Sequence, residues 1–166
     1  MRFRIGRAVM AGAVACLFVS AHASAVTGTA TAVKARNSGK CVTVRDGIFK
    51  NGTPLIQWTC GGNQNSKFIL YKTTGGHYQL RATSSGKCAT VANASRNNGA
   101  FVLLWDCNSG ANQSWDVKQA PDGFYTLKAR HSDKCLTVAD GDQRDGAVLL
   151  QWDCSNGTNQ QFSLKM

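Results

Sequence analysis

Three tryptophans, Trp58, Trp105 and Trp152, recur at intervals of 47 residues. Each stands two residues before a cysteine (Cys60, Cys107, Cys154) and seven before an asparagine (Asn65, Asn112, Asn159). A second cysteine series, Cys41, Cys88 and Cys135, keeps the same interval, and each member is followed two residues later by a threonine (Thr43, Thr90, Thr137). Indole, hydroxyl and carboxamide are groups that bind: one flat apolar surface and a set of neutral donors and acceptors. Groups that transform a substrate are poorly provided for. Glu is absent, the nine Asp residues are scattered, and no Ser-His-Asp or Cys-His grouping recurs. His77 and His131 do not recur either, and both fall in expected loops at the surface. The cysteine spacing is not that of a zinc knuckle. Neither a cofactor, a metal nor a catalytic activity is expected.

The interval holds for much more than these residues. Ser38/Ser85/Ser132, Lys40/Lys87/Lys134, Val44/Val91/Val138 and Gly52/Gly99/Gly146 also align without a gap. A fixed self-similar period sets architecture before local propensity is read. Within each unit the pattern is one of strands. Thr31–Arg36, Tyr78–Thr83 and Phe124–Arg130 alternate apolar and polar residues. Cys41–Arg45, Cys88–Ala92 and Cys135–Ala139 are short β-branched runs. Pro54–Cys60, Phe101–Cys107 and Val148–Cys154 are apolar runs ending at cysteine, and Phe68–Tyr71, Trp115–Lys118 and Phe162–Lys165 close the units. Asn51-Gly52, Gly75-Gly76, Asn98-Gly99, Asp122-Gly123, Asp145-Gly146 and Asn156-Gly157 are turn signals between them. The expectation is an all-β fold of twelve strands, a closed barrel capped by hairpins, which leaves few free edges. Trp115, Phe68 and Phe162 are expected in the core at the threefold centre.

Each unit owns two cysteines 19 residues apart, which predicts Cys41–Cys60, Cys88–Cys107 and Cys135–Cys154 as disulfides. If the two cysteine strands pair with Cys41 opposite Cys60, Thr43 falls opposite Trp58, and likewise Thr90 opposite Trp105 and Thr137 opposite Trp152.

The chain begins with a basic segment (Arg2, Arg4, Arg7), an apolar run over residues 8–20, and Ala23-Ser24-Ala25, which together read as a secretory signal peptide cleaved near Ala25. A lipid-modified Cys16 is the weaker reading. Removing 25 of the 166 residues leaves 141, three units of 47, approximately 26–72, 73–119 and 120–166. An exported, extracellular chain suits six paired cysteines. The whole sequence carries 19 Lys and Arg against nine Asp, a formal net charge of +10. Three of those arginines lie in the leader. The remaining excess reads as a soluble basic surface, with attraction to anionic polymers as the functional alternative. One recurring lysine per unit is not a basic stripe, so nucleic acid is not an expected partner. No membrane span is expected, and a monomer is.

The unit Cys-x-x-Val, Gly, Trp-x-Cys, Asn-Gln-x-aromatic resembles the repeat of the ricin-type (ricin B-like, QxW) β-trefoil lectin domain. The third copy reads Cys135-Leu136-Thr137-Val138, Gly146, Trp152-Asp153-Cys154 and Asn159-Gln160-Gln161-Phe162. The resemblance covers residues 26–166 and implies a β-trefoil that binds glycans in up to three shallow pockets. It implies that Trp58, Trp105 and Trp152 stack on the apolar face of a sugar. Asn65, Asn112 and Asn159 would bond its hydroxyls, with Gln113 and Gln160 in support. The family's Asp two residues after the first cysteine is here Thr43, Thr90 and Thr137. Asp46 and Asp140 are candidates for the missing carboxylate, with Asn93 at the middle copy and Ser66 where the other copies have Gln. By these departures the third pocket ranks first and the first pocket last. Partners are then galactose-, xylan- or other cell-surface glycans. The alternative is a targeting or inhibitory subunit with a protein partner.

Overall fold

A computed structural model describes residues 29–165; the expected signal peptide and the expected cleavage near Ala25 lie outside the described residues. Among the described residues twelve strands occur in chain order: β1 (Lys34–Ala35), β2 (Cys41–Val44), β3 (Leu55–Trp58), β4 (Phe68–Lys72), β5 (Tyr78–Ala82), β6 (Cys88–Val91), β7 (Val102–Trp105), β8 (Trp115–Gln119), β9 (Tyr125–Ala129), β10 (Cys135–Val138), β11 (Leu149–Trp152) and β12 (Phe162–Ser163). All pairings are antiparallel. β1 pairs with β12, β12 with β9, β9 with β8, β8 with β5 and β5 with β4. An isolated bridge between Thr31 and Phe68 returns β4 to the segment before β1, so six strands close a barrel. The other six form three hairpins, β2–β3, β6–β7 and β10–β11. Bridges Pro54–Leu103, Phe101–Leu150 and Ile56–Val148 join the hairpins into a triangular cap. Closure removes the barrel's edges, and the mutual bridging protects those of the cap.

Phe68, Trp115 and Phe162 are buried, one from each unit, with Val42, Val44, Leu80, Leu104, Leu127 and Leu136 around them. Each ring removes about 150–250 Å² from water, and the Trp115 indole N–H donates to the Ala89 carbonyl at 3.3 Å. Strands β2, β6 and β10 are buried along their whole length. The face carrying their second and fourth residues (Val42 and Val44, Ala89 and Val91, Leu136 and Val138) packs into the core. The opposite face, Cys41 and Thr43 in the first unit, is covered instead by the disulfide and by the short 3-10 turn that precedes β4.

The three disulfides join Cys41–Cys60, Cys88–Cys107 and Cys135–Cys154, as the spacing predicts. The strand register differs from the expected one. Cys41 stands opposite Trp58, and Thr43 opposite Ile56; the same offset holds for Thr90 with Leu103 and Thr137 with Leu150. The strands β3, β7 and β11 end at the tryptophan, so the second cysteine lies two residues beyond the ladder and the disulfide is a diagonal clasp over the strand end. Threonine and indole remain on one face of the hairpin as diagonal neighbours, because both offsets are even.

His131 is a second departure. It is 8 % exposed rather than at the surface, and its Nε2 lies 2.8 Å from the Ser95 carbonyl oxygen. The loop of the preceding unit folds over it, a contact between residues 36 apart that no local pattern announces. His77 is half-buried and pairs with Asp116 at 2.6 Å.

The units lock head to tail around the axis. Gly52 N–H donates to the Leu104 carbonyl, Gly99 N–H to that of Gln151 and Gly146 N–H to that of Gln57, each at 2.9 Å. The recurring lysines serve these seams: Lys40 pairs with Asp145, Lys87 with Asp106 and Lys134 with Asp153. Asn51 donates to Asp106 and Asn98 to Asp153, both at 2.7 Å, while at the remaining seam the roles are exchanged and Asp145 accepts from Thr59. Every seam therefore carries one carboxylate, on one side or the other.

Candidate functional site

Three equivalent hollows open on the cap, one per unit. Each is bounded by the end of the hairpin with its tryptophan, a tight turn after the first hairpin strand, and the 3-10 turn carrying the asparagine. Trp58, Trp105 and Trp152 are 48, 44 and 47 % exposed, a large apolar area left in solvent by a chain that buries its other tryptophan. The neighbouring unit backs two of them. A Cβ placed on Gly52 would lie 4.0 Å from Trp105 and one on Gly99 3.7 Å from Trp152. These glycines have φ of +88° and +83°, where an L side chain is strained.

Thr43, Thr90 and Thr137 form the floors, at 3, 5 and 4 % exposure. Their hydroxyls donate to the carbonyls of Cys41, Cys88 and Cys135 at 3.0, 2.9 and 2.8 Å. A hydroxyl proton committed to its own strand is not a free donor to a ligand. In the third unit Gln160 Nε2 also donates to Thr137 Oγ1 at 3.1 Å, and in the first unit the Ser66 hydroxyl lies 3.0 Å from that of Thr43.

The tight turn adds a short side chain to each hollow, a carboxylate in the first and third and a carboxamide in the second. Asp46, Asn93 and Asp140 line their hollows in the left-handed conformation, all with φ of +53°. Asp and Asn are the non-glycine residues that tolerate this region best. Asn65, Asn112 and Asn159 are oriented by their amide nitrogens, which donate to the carbonyls of Val44, Val91 and Val138 at 3.3, 3.0 and 3.0 Å. Among the described residues their Oδ1 atoms accept no hydrogen bond, which leaves an acceptor beside each indole. Gln113 and Gln160 are buried and hold the loop: Gln160 donates to the Asp153 carbonyl at 2.9 Å and accepts from the Ser155 N–H at 2.8 Å, and Gln113 does the same with Asp106 and Asn108.

The hollows differ in size, about 140, 350 and 220 Å³ in chain order. One position accounts for the crowded first hollow. Gly110 and Gly157 stand where the first unit has Asn63, and a Cβ on either glycine would come within 2.7 Å of the Oδ1 of Asn112 or Asn159. Asn63 and Thr59 both line the first hollow. Aligning the units in phase exposes this Asn63/Gly110/Gly157 difference, as it does Gly47/Ala94/Gly141 in the tight turn; sequence reasoning passed over both because it followed the residues that recur.

The hollows offer groups suited to binding: an apolar ring and neutral donors and acceptors. Each contains at most one titratable side chain, Asp46 in the first and Asp140 in the third, and the second contains none. Paired carboxylates of the kind that hydrolyse glycosidic bonds are not assembled here. Among the described residues no three His, Cys, Asp or Glu side chains cluster to hold a metal ion, and no helix is long and apolar enough to cross a membrane.

A six-stranded barrel capped by three hairpins, built from three equivalent units, defines a β-trefoil. The sequence profile described as "Ricin-type beta-trefoil lectin domain" matches residues 29–162. The chain belongs to the ricin-type β-trefoil lectin family. Among solved structures it is similar to ThreeFoil, a designed threefold-symmetric protein. They share 38 % identity at a TM-score of 0.78, over 80 % of this chain and 94 % of the design. It is also similar to part of 1,3Gal43A, an exo-β-1,3-galactanase from Clostridium thermocellum (30 % identity, TM-score 0.79), over 81 % of this chain and 29 % of the enzyme. The Macrolepiota procera ricin B-like lectin, solved with lactose, shares the fold at 14 % identity and a TM-score of 0.71, over 82 % of this chain and 94 % of that one. No curated protein matches the sequence.

Proposed function

We propose that the chain is a secreted, non-catalytic lectin that holds glycans in three shallow pockets. The observation that carries this reading is the threefold exposure of Trp58, Trp105 and Trp152, each beside an unengaged asparagine oxygen. A sugar ring has one face of C–H groups and a rim of hydroxyls; an indole covers the first and short polar side chains take the second. In this reading Trp152 is the stacking ring of the third pocket. Asn159 Oδ1 and the Asp140 carboxylate accept hydroxyl protons, Thr137 is floor, and Gln160 positions the loop. Trp105, Asn112, Thr90 and Gln113 have these roles in the second pocket, and Trp58, Asn65, Asp46 and Thr43 in the first. The carboxylate supplied by Asp46 and Asp140 stands in for the charged acceptor that threonine in the strand does not provide. One shallow pocket binds weakly, and three around an axis gain by multivalency on a polymer. Six cysteines paired within units suit an extracellular setting.

Retention on immobilised galactose-, xylan- and chitin-type polymers tests the reading. Wild-type protein is expected to be retained by at least one and eluted by its free sugar. Replacing all three indoles by alanine should remove retention with the native backbone NMR spectrum kept below a lowered Tm. Retention that survives the triple replacement overturns it. A second reading is a targeting module beside a companion enzyme or toxin. It is supported by the match to 29 % of the galactanase and by a fold match to 17 % of a mosquitocidal holotoxin. Co-purification of a catalytic partner from the native source would favour it.

A further inference from the structure

Resting on the reading of these hollows as sugar sites, we propose that the second pocket selects 2-acetamido sugars, while the first and third take sugars that bear hydroxyls alone. The argument is a comparison of equivalent positions. Asn93 stands where Asp46 and Asp140 stand, so a group that only accepts is replaced by one that also donates. Asn108 stands where the other units have Gly61 and Ser155. Its Oδ1 accepts from the Gly110 N–H at 2.7 Å, and among the described residues its Nδ2 has no protein partner. The second pocket alone thus offers carboxamide N–H donors with no carboxylate opposite them.

Ala94 is the other half of the difference. It stands where Gly47 and Gly141 stand, and like them it has a positive φ, +48°, a conformation that costs any L-residue relative to glycine. Packing does not require its methyl group: a Cβ on Gly47 or Gly141 would meet nothing within 4 Å. The methyl instead lines the cavity, together with Ala92, where the first unit has Arg45 and the third Ala139, so Ala94 is the apolar group peculiar to this pocket. Strain of this kind gathers at functional sites. The space beside the indole is also largest here, about 350 Å³ against 140 and 220 Å³.

An acetamido group asks for these features together. Its carbonyl needs a donor, which Asn93 or Asn108 supplies. Its N–H needs an acceptor, which Asn112 Oδ1 supplies. Its methyl needs apolar surface, which Ala92 and Ala94 supply. A uronate would need a cation instead, and none lines the pocket; Lys87, at the adjacent seam, is held by Asp106 and Asn51.

The test isolates the pockets. Trp58→Ala/Trp152→Ala leaves the second alone, and Trp105→Ala leaves the other two. Each variant is titrated by NMR with N-acetylgalactosamine and N-acetylglucosamine against galactose and glucose, its backbone spectrum confirming the fold. The two-indole variant is expected to prefer one acetamido sugar over its parent hexose by about tenfold, the worth of one well-made hydrogen bond plus a buried methyl. Trp105→Ala should bind hexoses without that preference. Adding Asn93→Asp, Ala94→Gly and Asn108→Ser to the two-indole variant should bring the ratio within about twofold while hexose binding persists. Equal affinities for acetamido sugar and hexose in the two-indole variant, or a preference that survives Trp105→Ala, overturns this inference and leaves the sugar sites standing. No perturbation by any sugar in any variant overturns the sugar-site reading itself, and this inference with it.

Discussion

Truncating the polar side chain behind each pocket, Ser66, Gln113 or Gln160, should destabilise the three units by graded amounts that follow from the bonds each residue makes. Gln160 is 2 % exposed and makes three well-formed hydrogen bonds: to the Asp153 carbonyl at 2.9 Å, to Thr137 Oγ1 at 3.1 Å and from the Ser155 N–H at 2.8 Å. At about 1 kcal/mol net for each, Gln160→Ala should cost about 3 kcal/mol. Gln113 is fully buried and makes two, with Asp106 and Asn108 at 2.9 and 2.8 Å, so Gln113→Ala should cost about 2 kcal/mol. Ser66, the counterpart in the first unit, makes one contact, with Thr43, and Ser66→Ala should cost about 1 kcal/mol. For a domain of this size 1 kcal/mol moves Tm by about 3 °C, so the three variants should melt about 9, 6 and 3 °C below wild type. Calorimetry and urea unfolding with disulfides intact measure this. The function follows the same order: Gln160 holds the loop that ends at Asn159, so its loss should weaken sugar binding at the third pocket even below the transition. Equal losses for all three, or a Gln160→Ala change under about 0.5 kcal/mol, would refute the assignment of these side chains as loop clamps.

Other expectations concern the seams and the clasps. Gly99→Ala puts a Cβ at φ +83° and 3.7 Å from Trp152, and should cost about 1–2 kcal/mol while disturbing the third pocket, read as a lower Tm with weaker sugar binding. Removing one disulfide by Cys41→Ala/Cys60→Ala opens a 19-residue loop and should cost about 3 kcal/mol in chemical denaturation. Stability should fall in acid. Lysine partners hold the carboxyls of Asp106, Asp145 and Asp153 below the usual carboxylate range, and Arg144 draws that of Asp142 down to about 2. The stabilisation from such lowered carboxyls is complete above their unfolded value of about 3.9 and is lost as pH falls through the folded one. Tm should therefore hold from pH 7 to 5 and drop below 4; a drop at pH 6 would contradict this. Asp153→Asn and added salt should both flatten the acid limb, because these pairs are exposed and screened.

The sequence alone determined a great deal here, because the information was local and triplicated. Period-two alternation, turn dipeptides and two cysteines per unit specify strands, hairpins and intra-unit disulfides without knowledge of what each strand meets. The same recurrence marked Trp58, Trp105, Trp152 and the three asparagines, and Phe68, Trp115 and Phe162 as core. Only the tertiary structure decided the rest. The register of Cys41 against Trp58 depends on where the ladder ends, and both registers keep threonine and indole on one face, so alternation does not distinguish them. How the Thr137 hydroxyl is engaged depends on a carbonyl two residues back and a glutamine 23 residues ahead. The seams join residues 52 to 105 apart, as in Gly52 to the carbonyl of Leu104 and Lys40 to Asp145. There one carboxylate is enough wherever it sits, so Asp106 and Asp153 give way to Asp145 across the third seam, and a pattern sought position by position dissolves. Burial of His131 has the same origin: a loop from another unit covers it, and no periodicity in its own segment records that contact.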